Sequence, residues 1–153
     1  MQYKEQLEKL SISLQANNVD YIVIGGFAVN YHGYARATSD LDVWLKPSNE
    51  NYIRFVKAIE SMGYDVEELH NAVFNPKKTF IRIPFGIINI EFLTDIPGNI
   101  SFSDAVDSAE IFELGNVTLK VMSYEHLIQN KKATNRPKDL QDIIELQRRK
   151  DGV

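Results

Sequence analysis

Two aspartates, Asp40 and Asp42, stand one residue apart within the apolar run DLDVWL at positions 40–45. Side chains alternate between the two faces of a β-strand, so both carboxylates would point to the same side, about 7 Å apart. Aspartate is disfavoured inside strands, and two close like charges cost free energy unless a cation neutralises them. The pair predicts a site for a divalent cation. The alternative is a strand-end cap at Asp40 with Asp42 on a hydrated face.

A third acid, Glu91, interrupts the most apolar segment in the second half of the chain, IINIEFL at positions 87–93. An unpaired carboxylate buried there would be very costly, so Glu91 is paired, exposed or coordinated. If this segment lies beside residues 40–45, Glu91 completes a three-carboxylate site suited to Mg²⁺, which takes oxygen ligands and substrate phosphates. A solvent-facing glutamate on a half-buried sheet is the alternative.

A glycine pair, Gly25-Gly26, separates an apolar run at 20–24 from a short helical segment that begins at Phe27. Without a Cβ, the backbone can approach an anion closely, and the free N–H groups at a helix start point towards it. The pair therefore predicts a corner that binds phosphate. A tight turn with no ligand is the alternative, since glycine is common in turns.

The elements that position these residues follow from hydrophobic periodicity. Strands are predicted at 20–24, 40–45, 64–68, 78–83, 87–93, 110–114 and 116–121, and helices at 3–17, 27–31, 49–62, 101–107, 124–134 and 136–149. This order indicates one α+β or α/β domain over residues 1–153, with a mixed sheet in a core of residues 1–122. A pair of C-terminal helices at 123–150 would close it.

Composition limits the class of protein. The chain has 153 residues, 44% of them hydrophobic and 25% charged, as expected for one globular domain. No apolar stretch approaches the roughly 20 residues of a membrane span, and the charged N-terminus does not resemble a secretory signal, so we expect a cytoplasmic protein without membrane association. The absence of cysteine excludes disulfides and thiolate metal sites. A net charge of −4 argues against a protein that is coated in nucleic acid, although a local basic patch could bind RNA.

Taken together, the site residues resemble a known pattern. Gly25-Gly26, a spacer, the Asp40-x-Asp42 pair and a later acid between apolar residues, Glu91, are similar to the motifs of the polymerase-beta-type nucleotidyltransferase superfamily. The similarity spans residues from about 20 to 145.

Two further motifs narrow the resemblance. The spacing of Arg36 and Thr38 before the aspartate pair is similar to the branch that contains abortive-infection nucleotidyltransferase toxins and small antibiotic nucleotidyltransferases. Lys131-Lys132, followed by the segment RPKDLQD at 136–142, resembles the C-terminal helical motif of that branch.

The resemblance implies an α+β fold of the polymerase-beta-like type: a short mixed sheet flanked by helices, with a C-terminal helical pair. It also implies Mg²⁺-dependent transfer of a nucleoside monophosphate from an NTP to a hydroxyl acceptor, with release of pyrophosphate. Asp40 and Asp42 would hold one or two Mg²⁺ ions, and Glu91 would ligate the second and promote deprotonation of the acceptor. The residues expected to bind the nucleotide are Gly25, Gly26, Arg36, Thr38, and Lys131 or Lys132.

Three functions stay open at this point. The acceptor could be a macromolecule, tRNA or a partner protein, as in a toxin–antitoxin system, or a small hydroxyl compound such as an antibiotic. The fold could also serve as a non-catalytic nucleotide-binding or antitoxin module. Small size favours the first and third functions, whereas a complete acid set that includes Glu91 disfavours the third. Asp139 and Asp142 are expected to form salt bridges with Arg136, Lys138 or other cations.

Overall fold

The computed structural model describes residues 3–152. Within this range the elements are α1 (Tyr3–Ala16), β1 (Tyr21–Ile24), α2 (Gly25–Tyr31), β2 (Asp40–Leu45), α3 (Asn49–Ser61), α4 (Glu67–Asn71), β3 (Phe80–Phe85), β4 (Ile88–Leu93), α5 (Phe102–Ser108), β5 (Glu110–Leu114), β6 (Val117–Val121), α6 (Tyr124–Thr134) and α7 (Pro137–Lys150). None of the helices in residues 3–152 combines the length and apolar character needed to cross a membrane.

The strands form one mixed sheet in the order β3-β4-β2-β1-β6-β5. Strand β2 pairs antiparallel with β1 and parallel with β4, so it lies in the interior of the sheet. The register between β2 and β4 places Asp40 opposite Asn89 and Asp42 opposite Glu91. The predicted α+β class is confirmed, and the sheet brings the third acid beside the first two.

The core forms where the apolar periodicity predicts it. Strand β1 is buried along its whole length, as an unbroken apolar run requires. Helix α1 buries Leu7, Leu10 and Leu14, which share one helical stripe, and α3 buries Phe55 and Ile59 in the same way. These side chains join one continuous core, which holds the sheet as a rigid base for the residues at its edge.

The face of β2 that carries the aspartates is covered at one end and open at the other. Trp44 lies two residues beyond Asp42 and is buried, with its Nε1 donating to the Thr94 carbonyl at 3.3 Å. Its ring packs edge-on against Phe102 of α5, with centroids 5.1 Å apart. Helix α5 therefore covers the Trp44 end, and the aspartates at the other end line a cavity.

The strand predicted at 64–68 is wrong, because the chain there turns into helix α4, which begins at Glu67. The Asp65 carboxylate accepts a hydrogen bond from the Glu67 backbone N–H at 3.0 Å, and Glu67 and Glu68 lie in the first turn. Acids at a helix N-terminus stabilise it by pairing with its free N–H groups and dipole. The turn made by Asp65 and the acidic first turn of α4 therefore outweigh the strand-like pattern.

The turn between β3 and β4 also differs from the prediction. Residues 84 and 85 continue β3, and the turn is made by Gly86 and Ile87, with Gly86 at a φ of 67°. Pro84 is tolerated because β3 is the outer strand of the sheet, where a missing N–H costs little. The other predicted elements are confirmed, with ends that differ by at most two residues.

Candidate active site

A cavity of about 530 Å³ lies at the end of β2 and β4, between the start of α2 and the helices α6 and α7. This volume lies within the range of about 300–1,000 Å³ that is typical of small-molecule sites. Its ionisable lining residues are Arg36, Asp40, Asp42, Glu91, Lys131, Arg136, Lys138 and Asp139, and Gly25, Gly26 and Thr38 complete the predicted part of the wall. Apart from Lys132, every residue that the sequence assigned to the site lines this cavity.

The three acids lie together because β2 and β4 are neighbours in the sheet. Burial raises the pKa of Asp42, and the nearby Asp40 carboxylate adds to this effect, while a hydrogen bond with Glu91 opposes it. Burial, that hydrogen bond and the two aspartates raise the pKa of Glu91 to about 7. Crowded negative charge of this kind favours the binding of a proton or a cation.

The three acids provide the kind of ligand atoms that a hard divalent cation prefers. All three supply carboxylate oxygens, and the buried Oδ1 of Asp40 has no hydrogen-bond partner within residues 3–152. As they stand, however, no three or more Asp, Glu, His or Cys side chains in that same range are placed so that they could hold a metal ion. A cation would therefore have to draw Asp40, Asp42 and Glu91 together.

An arginine that the sequence reasoning missed, Arg82 of β3, lies against two of the acids. Its Nη2 is 3.6 Å from Asp40 Oδ1, and its Nε is 3.8 Å from Glu91 Oε1. The antiparallel pairing of β3 and β4 places Arg82 directly opposite Glu91. A basic residue in an otherwise apolar strand next to the acid-bearing strand was the available signal.

The glycine corner is shaped by close contact with the site residues. Gly25 has a φ of 65°, and a Cβ added there would collide with the Asp42 carboxylate. A Cβ on Gly26 would collide with the Thr38 hydroxyl, which itself donates to the Asp40 carbonyl at 3.0 Å. Both positions therefore require glycine, and Thr38 fixes the start of β2 beside the first turn of α2.

On the opposite wall, a buried ion cluster joins the chain segment before β2 to the C-terminal helices. We define this ion cluster as Arg36, Lys131, Asp139 and Asp142. The Arg36 guanidinium donates Nε–H and Nη2–H to Asp142 at 2.7 and 2.9 Å, and Lys131 Nζ lies 2.9 Å from Asp142 and 3.2 Å from Asp139. Lys131 is 4% exposed, so its charge is balanced by these carboxylates rather than by water.

The two acids of the ion cluster are stabilised in their charged form. Burial opposes ionisation of Asp139, but hydrogen bonds from Arg136 and Lys131 outweigh it and hold its pKa well below the usual range. Burial likewise opposes ionisation of Asp142, and hydrogen bonds from Arg36 and Lys131 lower its pKa. Both acids form the predicted kind of salt bridge, and the ion cluster fixes Lys131 and Arg36 in place.

Lys138, like Arg136, lines the cavity, although the sequence assigned both residues to salt bridges. Within residues 3–152 Lys138 has no carboxylate within 4 Å, and its charge lowers the pKa of Asp42 across the cavity. Lys132 is exposed and does not line the cavity, because one helical step of about 100° turns it away from Lys131. The first turn of α7 therefore supplies a cation that faces the acids.

Comparison with known proteins identifies the family. The chain belongs to the family described as "Nucleotidyl transferase of unknown function (DUF2204)", whose model matches residues 3–152. No curated protein sequence gives a significant match. The family match confirms the predicted superfamily and the predicted enzyme class, nucleotidyltransferase.

Solved structures show the same fold. A proposed nucleotidyltransferase from Thermotoga maritima is 16% identical with a TM-score of 0.58, covering 99% of this chain and 94% of that one. The solution structure of the antibiotic-resistance factor ANT(2'')-Ia is 12% identical with a TM-score of 0.57, covering 93% and 80%. At these identities the likeness concerns the fold, which agrees with the predicted polymerase-beta-like architecture.

Proposed function

We propose that this nucleotidyltransferase moves a nucleoside monophosphate from an NTP to a hydroxyl acceptor, with Mg²⁺ as cofactor and pyrophosphate as the second product. The observation that carries this proposal is the register of β2 and β4, which sets Asp42 opposite Glu91 and beside Gly25. Three acids then face a cationic wall, which we define as Arg36, Lys131 and Lys138, across a single cavity. A polyphosphate and a divalent cation together complement such a distribution of charge.

Asp40 and Asp42 would hold the metal, and Glu91 would complete its ligands from the neighbouring strand. Bound Mg²⁺ would neutralise triphosphate charge and help to activate the acceptor hydroxyl. Gly25 and Gly26 would let the triphosphate approach the backbone at the start of α2.

The cationic wall would orient the triphosphate. Lys131 lines the cavity in a position fixed by two carboxylates, and Lys138 reaches the cavity from the first turn of α7. Arg36 contributes positive charge at the cavity wall while its guanidinium is held by Asp142, and Thr38 orients the first residue of β2. Positively charged groups placed before reaction stabilise charge on the transferring phosphoryl group.

For the acceptor we propose a macromolecule, tRNA or a partner protein, in a toxin–antitoxin-like role. On the β3 side of the acids, the exposed Arg82 is the charged group next to Glu91. A phosphate of RNA would be attracted to this arginine, whereas a polycationic antibiotic would be repelled by it. The RNA acceptor is therefore the first one to test.

The test incubates the protein with Mg²⁺ and each labelled NTP, in the presence of tRNA, of a protein extract, or of hydroxyl-bearing antibiotics. Label on tRNA or protein together with pyrophosphate release supports the proposal. Label on an antibiotic would refute the macromolecular acceptor, and NTP binding without pyrophosphate release would refute catalysis.

A matched pair of variants connects the activity to the site. Asp42→Asn is expected to abolish transfer and leave the fold intact, because a metal ligand is lost while side-chain volume is conserved. Asp107→Asn removes the same charge from the exposed surface of α5 and should have no effect. Undiminished transfer by Asp42→Asn would refute the role of Asp42, and circular dichroism of both variants would check the fold.

A further inference from the structure

Arg82 differs from Arg36, which lines the cavity, in how it is held. It lies on the outer strand of the sheet with 56% of its side chain exposed, and its contacts to Asp40 and Glu91 are 3.6 and 3.8 Å long. Arg36, in contrast, is 16% exposed and makes two short hydrogen bonds to Asp142. Arg82 is therefore a loosely held counter-ion, because ion pairs of this length in contact with water are weak.

The position of Arg82 coincides with the place where a metal would bind. The oxygen that it approaches on Asp40 is the buried Oδ1, which has no hydrogen-bond partner within residues 3–152. The guanidinium also contacts Glu91, the acid expected to complete the ligand set. One monovalent cation thus partly neutralises two of the three acids without satisfying the buried oxygen.

We propose that Arg82 is a displaceable counter-ion that competes with the divalent cation for Asp40 and Glu91. In the metal-free protein it offsets the charge of the acids, and it withdraws into solvent when the metal binds. The exposed edge of the sheet leaves room for this movement, since β3 is its outer strand among residues 3–152. This inference rests on the proposed function, because it takes the acids as the metal site.

The expected size of the effect follows from charge. A unit charge that has withdrawn into solvent about 6 Å from a divalent cation, in a dielectric close to that of water, still changes the cation's affinity about tenfold. Removal of the Arg82 charge should therefore tighten metal binding by about this factor. A residue that served only to hold the acids in position would have the opposite effect, since its loss would loosen the ligand set.

Titration of the metal-free protein with Mn²⁺ tests the proposal, with free Mn²⁺ followed by electron paramagnetic resonance and no nucleotide present. Arg82→Gln is expected to bind Mn²⁺ about tenfold more tightly than the native protein, and Arg82→Lys, which keeps the charge, should bind within about twofold of it. Arg54→Gln is the matched control, because Arg54 also forms a partly exposed ion pair, 3.4 Å from Asp20, but lies outside the cavity. This control should not change Mn²⁺ affinity.

Unchanged or weaker Mn²⁺ binding by Arg82→Gln would overturn the proposal. Asp42→Asn, titrated in parallel, separates this failure from a failure of the metal site. If Asp42→Asn loses Mn²⁺ binding while Arg82→Gln is unchanged, Arg82 is not a competitor, and the metal site stands. If Asp42→Asn binds Mn²⁺ as the native protein does, the ligand assignment is wrong, and the proposal for Arg82 fails with it.

Discussion

Replacement of Asp142 by asparagine should destabilise the protein more than the loss of any exposed ion pair. The Asp142 side chain is 1% exposed and receives two hydrogen bonds from Arg36 and a third close contact from Lys131. Asparagine has nearly the same shape, but it carries no charge and presents an NH₂ group to donors. Lys131 would then keep only Asp139 as a partner, and Arg36 would lose its bidentate acceptor.

The magnitude can be worked out from burial. Removal of one partner from a buried ion pair costs about 3–5 kcal/mol, and the lower end applies here because Arg36 is partly exposed and borders the cavity. A loss of about 3 kcal/mol would be a large fraction of the roughly 5–15 kcal/mol by which domains are stable. For a chain of this length it corresponds to a fall in Tm of about 6–12 °C.

Urea and thermal unfolding, followed by circular dichroism, would measure the change. The control variant is Glu125→Gln, which removes the same charge from a side chain that is 73% exposed and pairs with Lys150 at 3.2 Å. Its effect on the free energy of unfolding should stay below about 0.5 kcal/mol. Equal changes in stability for Asp142→Asn and Glu125→Gln would show that the buried ion cluster does not hold the C-terminal helices in place.

Three further predictions concern the glycine corner, acid stability and the cationic wall. Gly25→Ala should lower the free energy of unfolding by about 1–3 kcal/mol more than Gly63→Ala, because both glycines have positive φ but only Gly25 would place a Cβ against a carboxylate. Urea unfolding measures the difference, and equal losses of stability would contradict the prediction. The pKa of Asp139 is lowered in the folded state, so the stability that this carboxylate contributes is present above its unfolded pKa of about 3.9 and is lost as the pH falls below about 4. Asp139→Asn should therefore flatten this part of the curve of unfolding free energy against pH. An unchanged curve would refute the assignment. Lys138→Gln should weaken NTP binding about tenfold in a calorimetric titration, whereas Lys132→Gln should not, and the reverse order would place the wrong lysine at the triphosphate.

Much of the acid-bearing wall could be predicted from sequence because its signals are local. Alternation along one short strand sets Asp40 and Asp42 on one face, and an acid within an apolar run makes Glu91 conspicuous. The sequence alone did not establish that β2 pairs with β4, because strand order depends on how the entire chain packs. The structure supplies that order, and with it the contact between Asp42 and Glu91.

The cationic wall was less predictable because its contacts join distant parts of the chain. Arg36 and Asp142 are 106 positions apart, and no periodicity connects them. The turn between α6, which carries Lys132, and α7, which carries Lys138, includes Asn135 in the left-handed conformation, with a φ of 55°. The sequence therefore favoured Lys132 for the nucleotide and Lys138 for salt bridges, although of these two only Lys138 lines the cavity.

The contact between Arg36 and Asp142 has a consequence for biosynthesis. While α7 is still inside the ribosomal exit tunnel, Arg36 and Lys131 lack Asp142, and the cavity lacks the wall that α7 provides. The strands that carry the acids can pair earlier, since their residues emerge first. We therefore expect the cavity to form only after α7 has emerged from the tunnel and Asp142 can reach Arg36 and Lys131.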